Sequence, residues 1–138
     1  MHNSEIRKIA FVGDYLPRKC GIATFTHDMY TSVAGQFSDV QCSVVPVNDR
    51  PEGYEYAPEV RFEIAEQDLD SYLRAADFLN FANTDVVSLQ HEYGIFGGND
   101  GAWITGFAGE LARRGVPYLV TLHRVLSEPT WTQASTLN

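Results

Sequence analysis

The sequence predicts an α/β fold: a doubly wound parallel sheet, ordered 3-2-1-4-5, with helices on both faces. Short apolar segments alternate with amphipathic ones along the 138 residues, which is the pattern of strand–helix–strand units. Three strand candidates are almost wholly apolar, as interior strands of a parallel sheet are. Another alternates between apolar and polar residues and suits an edge. The length fits one domain, residues 1–138.

The first strand and helix follow directly from the hydrophobic pattern. Residues 8–13 (KIAFVG) form a continuous apolar run. Residues 21–37 then place Ile22, Phe25 and Met29 on one helical face. The stretch between them becomes a loop that feeds a helix.

The next segments add two strands joined by a loop. Residues 40–47 (VQCSVVPV) predict a second strand, and the polar residues 48–59 hold two prolines and a glycine, which are typical of a loop. Residues 60–65 (VRFEIA) alternate cleanly, so they predict a strand with one wet side. Its apolar side carries Val60, Phe62 and Ile64.

The second half continues the alternation. Residues 68–83 have helical periodicity, and Asp68 or Asp70 is placed to cap the helix. Residues 85–90 (DVVSLQ) predict another buried strand. Together they form a second strand–helix–strand unit with the preceding strand.

A loop, a helix and a fifth strand complete the pattern. The loop spans 91–100 and the helix 100–115, with Asn99 or Asp100 as its cap. Residues 117–123 predict the fifth strand. The helix ends on C-terminal signals, namely Arg113, Arg114, Gly115 and Pro117.

The predicted order puts the fifth strand at an edge of the sheet, where its outer side has no neighbouring strand. Its sequence PYLVTL is too apolar for an edge that faces water. We expect a homo-oligomer through this strand or through the tail 124–138, or a sixth strand in a longer protein. The pattern therefore indicates that the chain is part of a longer protein.

Composition and charge indicate which partners and which cellular compartment to expect. The net charge of −8 disfavours a broad electrostatic interaction with nucleic acid. No apolar run reaches the length of a membrane span, and the N-terminus lacks the apolar core of a signal peptide. Cys20 and Cys42 belong to no C-x-x-C pair, so we expect two reduced, mostly buried thiols. A cytoplasmic protein is the expectation.

The strand order predicts where a ligand would bind. In doubly wound sheets the site lies outside the carboxyl ends of the strands, where the winding direction switches. Here that crevice lies between strands 1 and 4, beside the loops 14–21 and 91–100. The loop 123–128 after strand 5 is adjacent. These are also the most unusual stretches of the chain.

The loop after strand 1 (DYLPRKCG) has the features of an anion site. Free N–H groups at a helix N-terminus attract anions, and Gly21 removes a Cβ that would keep a ligand from the backbone. Arg18 and Lys19 add positive charge. The alternative is an ordinary turn with solvated basic residues. The loop matches neither G-x-G-x-x-G nor the P-loop pattern.

His91 and Glu92 follow strand 4 and are candidates for acid–base chemistry. With His123 they could also supply metal ligands, although nothing in the spacing fixes a tetrahedral set. The alternative is a histidine that hydrogen-bonds to the loop backbone beside a solvated glutamate. His27, inside the first helix, is interpreted as a packing or surface residue.

Three stretches resemble a known enzyme family. FVGDYLPRKCGIATFTHDMY (11–30), VVSLQHEYGIFGG (86–98) and VPYLVTLHRVLSEP (116–129) are together similar to the N-terminal half of a family 4 (group 1) glycosyltransferase. The resemblance covers residues 6 to about 130. It implies the GT-B architecture, two Rossmann-like domains facing each other across a cleft, and metal-independent transfer with retention from a nucleotide-sugar donor.

The resemblance also implies roles for individual residues. His123, in the T-x-H motif of strand 5, would lie near the transferred sugar and act in catalysis. Gly21 and its neighbours would approach the donor phosphates and the acceptor, and His91 with Glu92 would shape the acceptor side. Many members have two adjacent glycines where this chain has Cys20-Gly21, and Arg124 replaces a small polar residue.

The implied function is that of an acceptor-side N-terminal domain that is inactive in isolation. The family's C-terminal domain, which supplies an E-x7-E glutamate pair and most nucleotide contacts, is absent from this chain. Neither a cofactor nor a metal is expected, and the nucleotide-sugar is a substrate. One alternative is a non-catalytic Rossmann-like binding or interaction module. Another is a metal-dependent hydrolase with ligands at His91 and His123.

Overall fold

A computed structural model of the chain describes residues 5–91, 96–98 and 102–123. Within these residues the chain forms five strands and three helices. The strands are β1 (Lys8–Gly13), β2 (Gln41–Asn48), β3 (Ile64–Ala65), β4 (Val86–His91) and β5 (Tyr118–Leu122). The helices are α1 (Gly21–Gln36), α2 (Leu69–Phe81) and α3 (Trp103–Arg113).

The strands form one parallel sheet in the order β3-β2-β1-β4-β5, which confirms the predicted topology. The central strand β1 pairs with β2 on one side and with β4 on the other. Phe11 is in register with both Val44 and Ser88. The apolar sequence of β1 therefore lies where both faces and both edges are covered.

Helices cover both faces of the sheet, as predicted. Ala10 and Val12 belong to a core cluster that includes apolar side chains of α2 and α3. Phe11 points the other way and packs with side chains of α1 such as Met29. The alternation of side chains along β1 divides the core into these two layers.

The helix ends follow the expected signals in part. Asp68 is the N-cap of α2, and its carboxylate accepts a hydrogen bond from the backbone N–H of Asp70. After α3, Gly115 adopts a positive φ of 76°, which glycine does without steric cost. Helix α3 begins at Trp103, later than the predicted residue 100, and its N-cap Ala102 makes no side-chain cap hydrogen bond. The predicted caps Asn99 and Asp100 lie outside the described residues and do not occupy the N-cap position.

The predicted strand 60–65 is wrong in its extent. Regular pairing covers only Ile64–Ala65, and Val60 forms an isolated bridge with Val44. The partner of Ile64 is Val47, so the edge segment uses one more residue than β2 between the two contacts. This extra residue is a bulge. It turns Val60 toward the α1 layer, whereas Ile64 lies in the α2 and α3 layer.

Strand β5 forms the second edge of the sheet, as expected. Tyr118, Leu119, Val120 and Leu122 are 36%, 66%, 45% and 46% exposed. The strand carries no charged side chain, and among the described residues no further strand pairs with its outer edge. This uncharged, apolar edge has the features that invite pairing with another strand.

The structure bears on two further expectations, one about membrane-spanning helices and one about the two cysteines. None of the helices in the described ranges has the length and apolar character that crossing a membrane requires. Cys20 and Cys42 are both free thiols. Both are partly exposed, so the expectation of mostly buried thiols is too strong.

Gly97 gives a test of the packing between α2, α3 and the loop before α3. Its N–H donates to the Tyr72 hydroxyl (2.9 Å), and a Cβ there would lie 2.1 Å from the Glu66 carbonyl oxygen and 2.7 Å from the Trp103 ring. We expect Gly97→Ala to lower the free energy of unfolding by about 1–3 kcal/mol, measured by urea denaturation. Gly109→Ala, on the exposed side of α3 with nothing within 4 Å, should raise it by up to about 1 kcal/mol. Equal stabilities of the two variants would contradict this packing argument.

Candidate functional site

The carboxyl ends of β1, β4 and β5 lie side by side and lead into the candidate site. His123 follows β5 directly, and its backbone N–H donates to the carbonyl oxygen of His91 at 3.0 Å. The loop after β1 runs into α1 at the same end of the sheet. This is the switch point between β1 and β4 at which the strand order predicts ligand binding.

Contacts with Gln90 and Phe25 help to fix the position of the His123 side chain. Its Nε2 lies 2.8 Å from Oε1 of Gln90, in hydrogen-bond contact. The ring of Phe25, from the second turn of α1, meets the imidazole edge to face with 4.7 Å between ring centroids. Phe25 lies about one helical turn after Gly21, so the imidazole lies close to the N-terminus of α1.

Gln90 supports this arrangement from inside the sheet. The side chain is fully buried, and its Nε2 lies 3.0 Å from the Ser88 hydroxyl. Gly13 makes room for it, because a Cβ on Gly13 would lie 2.8 Å from the Cβ of Gln90. The amide of Gln90 is therefore held by close packing and in turn orients His123.

Asp14, the first residue after β1, organises the loop before α1. Its carboxylate accepts a hydrogen bond from Nη1 of Arg18 at 2.8 Å and one from the Cys20 thiol at 3.4 Å. Cys20 is also the N-cap of α1, where its sulfur accepts from the backbone N–H of Ala23. One buried carboxylate thus links the strand end, the loop and the helix start.

The environment of Asp14 raises its pKa. Only 3% of the residue is exposed, and this burial is the main cause of a pKa of about 6, against an ordinary value of 3.8. The charge of Arg18 opposes the rise, and the more distant carboxylates of Asp49 and Glu66 add to it. Asp14 therefore changes charge in the range just below neutral pH.

The three loop residues predicted to hold an anion differ in what they contact. Arg18 pairs with Asp14 and also lies 3.7 Å from a carboxylate oxygen of Asp49. Lys19 is exposed and forms no ion pair with any residue that the structure describes. A Cβ on Gly21 would face open space, so packing does not require a glycine there.

Strand alternation separates the two histidines that follow the sheet. His91 is buried, ends β4 and lies near Phe96, with ring centroids 6.2 Å apart. It therefore faces the α2 and α3 layer, whereas His123 contacts α1. The two imidazoles do not converge on a shared metal, and within residues 5–91, 96–98 and 102–123 no three metal-binding side chains cluster. Glu92 lies outside the described residues.

The sequence-based reasoning did not identify Asp14 and Gln90. Both are polar residues at the carboxyl end of an otherwise apolar strand, and this position was the available signal. His27 is partly exposed, and its ring lies 5.8 Å from that of Tyr15, in agreement with a packing role.

Comparison with known proteins leaves the family open. No model of a protein family matches the sequence, and no curated protein matches it.

Proposed function

We propose that the chain is the acceptor-side, N-terminal domain of a retaining glycosyltransferase that transfers a sugar from a nucleotide-sugar donor. In this proposal a second Rossmann-like domain supplies most contacts to the nucleotide, and the described domain alone is inactive. The proposal extends the resemblance of the three stretches noted above to the function of the chain. No metal takes part in the proposed reaction.

One observation carries the proposal: His123 lies beside the N-terminus of α1 at the switch point of the sheet. A retaining transfer develops positive charge at the anomeric carbon and negative charge on the departing phosphate. A site for it needs a polar group next to the sugar and hydrogen-bond donors next to the phosphates. The contact between His123 and Phe25 brings these two elements within about one helical turn of each other.

The phosphate side of the site would be formed mainly by backbone groups and Lys19. The N–H groups of Gly21 and Ile22 donate to no other residue that the structure describes, and they lie at the positive end of the α1 dipole. The thiol of Cys20 already occupies the N–H of Ala23. Arg18 is paired with two carboxylates, so we assign it to loop geometry more than to phosphate binding.

A comparison of the 138-residue chain with the protein from its complete reading frame tests the proposal. We expect the 138-residue chain to show no transfer from a panel of nucleotide-sugars and at best weak binding of them. The complete reading frame that contains it should transfer sugar with retention, measured by NMR of the anomeric product. Transfer by the short chain alone would contradict the division of roles. A complete reading frame without a second Rossmann-like domain would favour the non-catalytic binding module.

We also propose that the β5 edge pairs with a second copy when nothing else covers it. In an antiparallel pair centred on Val120, Tyr118 of one copy faces Leu122 of the other, so apolar residues meet along one face. Val120→Lys would place two like charges opposite each other. We expect it to abolish concentration-dependent dimerisation in sedimentation velocity, whereas Leu73→Lys on α2 should not. A wild-type chain that stays monomeric at high concentration would rule this pairing out.

A further inference from the structure

A groove of about 640 Å³ lies at the opposite end of the sheet from the candidate site. It runs along the amino ends of β1 and β2 and the last turn of α2. Its volume is within the range of small-molecule sites, roughly 300–1,000 Å³. Its lining includes Lys8, Gln41, Arg61, Phe81 and Asn83.

The fold leaves this groove open for two reasons. The bulge in the edge segment shortens β3 to two residues, so the amino end of β2 lacks a strand beside it. The chain then leaves α2 through a tight turn in which Asn83 has a positive φ of 61°. The first three residues of β2 are exposed or partly exposed.

The charged side chains that line the groove are basic, and the nearby carboxylate of Asp85 accepts hydrogen bonds from the backbone N–H groups of Arg7 and Lys8. The net charge is −8, yet no aspartate or glutamate is among the described residues that line the groove. The arginines at six other described positions pair with carboxylates, namely Arg7, Arg18, Arg50, Arg74, Arg113 and Arg114. Arg61 forms no such pair within the described part of the chain, and Lys8 donates to the Ala82 carbonyl oxygen at 2.9 Å. Two cations without carboxylate partners thus line the same groove.

The groove also presents an exposed aromatic ring. Phe81, the last residue of α2, is 88% exposed, the highest value among the exposed large hydrophobic side chains described. Phe78, one turn earlier, stacks on Phe62 with ring centroids 5.1 Å apart and gives the apolar wall a fixed base. An exposed ring in a groove that is also lined by cations offers a surface on which a planar ligand can stack.

Polar side chains with spare hydrogen-bonding capacity complete the lining. Gln41, Ser43, Asn83 and Thr84 line the groove, and their side chains form no hydrogen bond with other residues in the described ranges. Neutral donors of this kind can orient a ligand that a guanidinium holds by charge.

We propose that this groove binds a small anion attached to a planar ring, with the anion at Arg61 and Lys8 and the ring against Phe81. The class includes aryl phosphates and aromatic carboxylates. The site is independent of the proposed sugar transfer, because it lies at the other end of the sheet. The inference rests on the coincidence of two cations, an exposed ring and the absence of carboxylates from the described lining of one groove.

Phenyl phosphate is the probe for this site, with inorganic phosphate and benzyl alcohol as the two half-ligands. We expect phenyl phosphate to cause saturable shifts of the backbone amides of Gln41, Ser43, Asn83 and Thr84 in an ¹⁵N-labelled full chain. Each half-ligand should bind at least about tenfold more weakly. Equal binding of inorganic phosphate would overturn the role of the ring, and shifts confined to residues 14–21 would place the anion at the other end of the sheet.

Single substitutions test the cationic part and the aromatic part of the groove separately. Arg61→Gln should weaken phenyl phosphate about tenfold or more, because it removes a charge-assisted contact, and Phe81→Ala should weaken it several-fold. Arg74→Gln makes the same change at an arginine of α2 that pairs with Asp68 and does not line the groove, so this matched control should leave binding unchanged. All three positions are exposed, so the fold should persist, which circular dichroism checks. Unchanged binding in both Arg61→Gln and Phe81→Ala would refute the site.

Discussion

Replacing His123 with alanine in the complete transferase proposed above is expected to lower turnover about 100-fold or more. A preorganised polar contact near developing charge is typically worth about 10²–10³ in rate. His123 follows the last residue of β5, outside the hydrophobic core, so the fold should be retained. The measurement is transfer from the nucleotide-sugar that proves active, with the unfolding transition as a check of stability.

Two further variants show whether the effect belongs to the imidazole. His27 is another partly exposed histidine. It lies on α1, as Phe25 does, and its ring packs near that of Tyr15. His27→Ala should alter turnover far less than His123→Ala. Gln90→Met removes the amide that holds Nε2 of His123 while keeping similar volume, and should give an intermediate loss. That loss should fall on kcat more than on KM, because Gln90 acts through the orientation of His123. Near-normal turnover in His123→Ala would remove its assigned role.

The sheet could be predicted because its strands carry their burial in their own sequences. Strand β1 (KIAFVG) is apolar on both faces and lies at the centre, and α2 carries its cap Asp68 and its apolar face in its own sequence. The bulge in the segment 60–65 could not be predicted from alternation alone. Val60 and Ile64 have the same parity in sequence but face opposite layers, because pairing with β2 decides the face, and pairing is a tertiary property.

The position of the site could be predicted, but the contacts within it could not. Parallel strand order brings the ends of β1, β4 and β5 together whatever their sequences. Which side chains meet there depends on packing between layers: Gln90 reaches His123 because Gly13 leaves space for it. His91 faces the other layer because side chains alternate along β4. A charge count also could not show that Arg18 is paired with Asp14.

Asp14 is expected to make stability depend on pH in a range just below neutrality. Burial raises the pKa of its carboxyl in the folded chain to about 6, above the ordinary value of 3.8. A raised folded-state pKa means that the folded chain binds the proton more tightly than the unfolded chain does. The stabilisation from this group is therefore complete below about pH 4 and is lost as the pH rises through about 6. The rise in the pKa of Asp14 corresponds to a total change of roughly 3 kcal/mol in the free energy of unfolding, from below about pH 4 to well above about pH 6.

Asp14→Asn should remove this pH dependence, since an amide does not titrate. The test is the free energy of unfolding from urea denaturation between pH 4.5 and 7.5, for the wild type and the variant. We expect the wild type to lose roughly 2 kcal/mol relative to Asp14→Asn over this range, because part of the roughly 3 kcal/mol is already lost by about pH 4.5. Asp39→Asn, at an exposed carboxylate that is not in contact with Asp14 or Arg18, is the matched control. Its curve should run parallel to the wild type. Parallel curves for the wild type and Asp14→Asn would show instead that the buried carboxyl keeps an ordinary pKa, with the charge of Arg18 offsetting its burial.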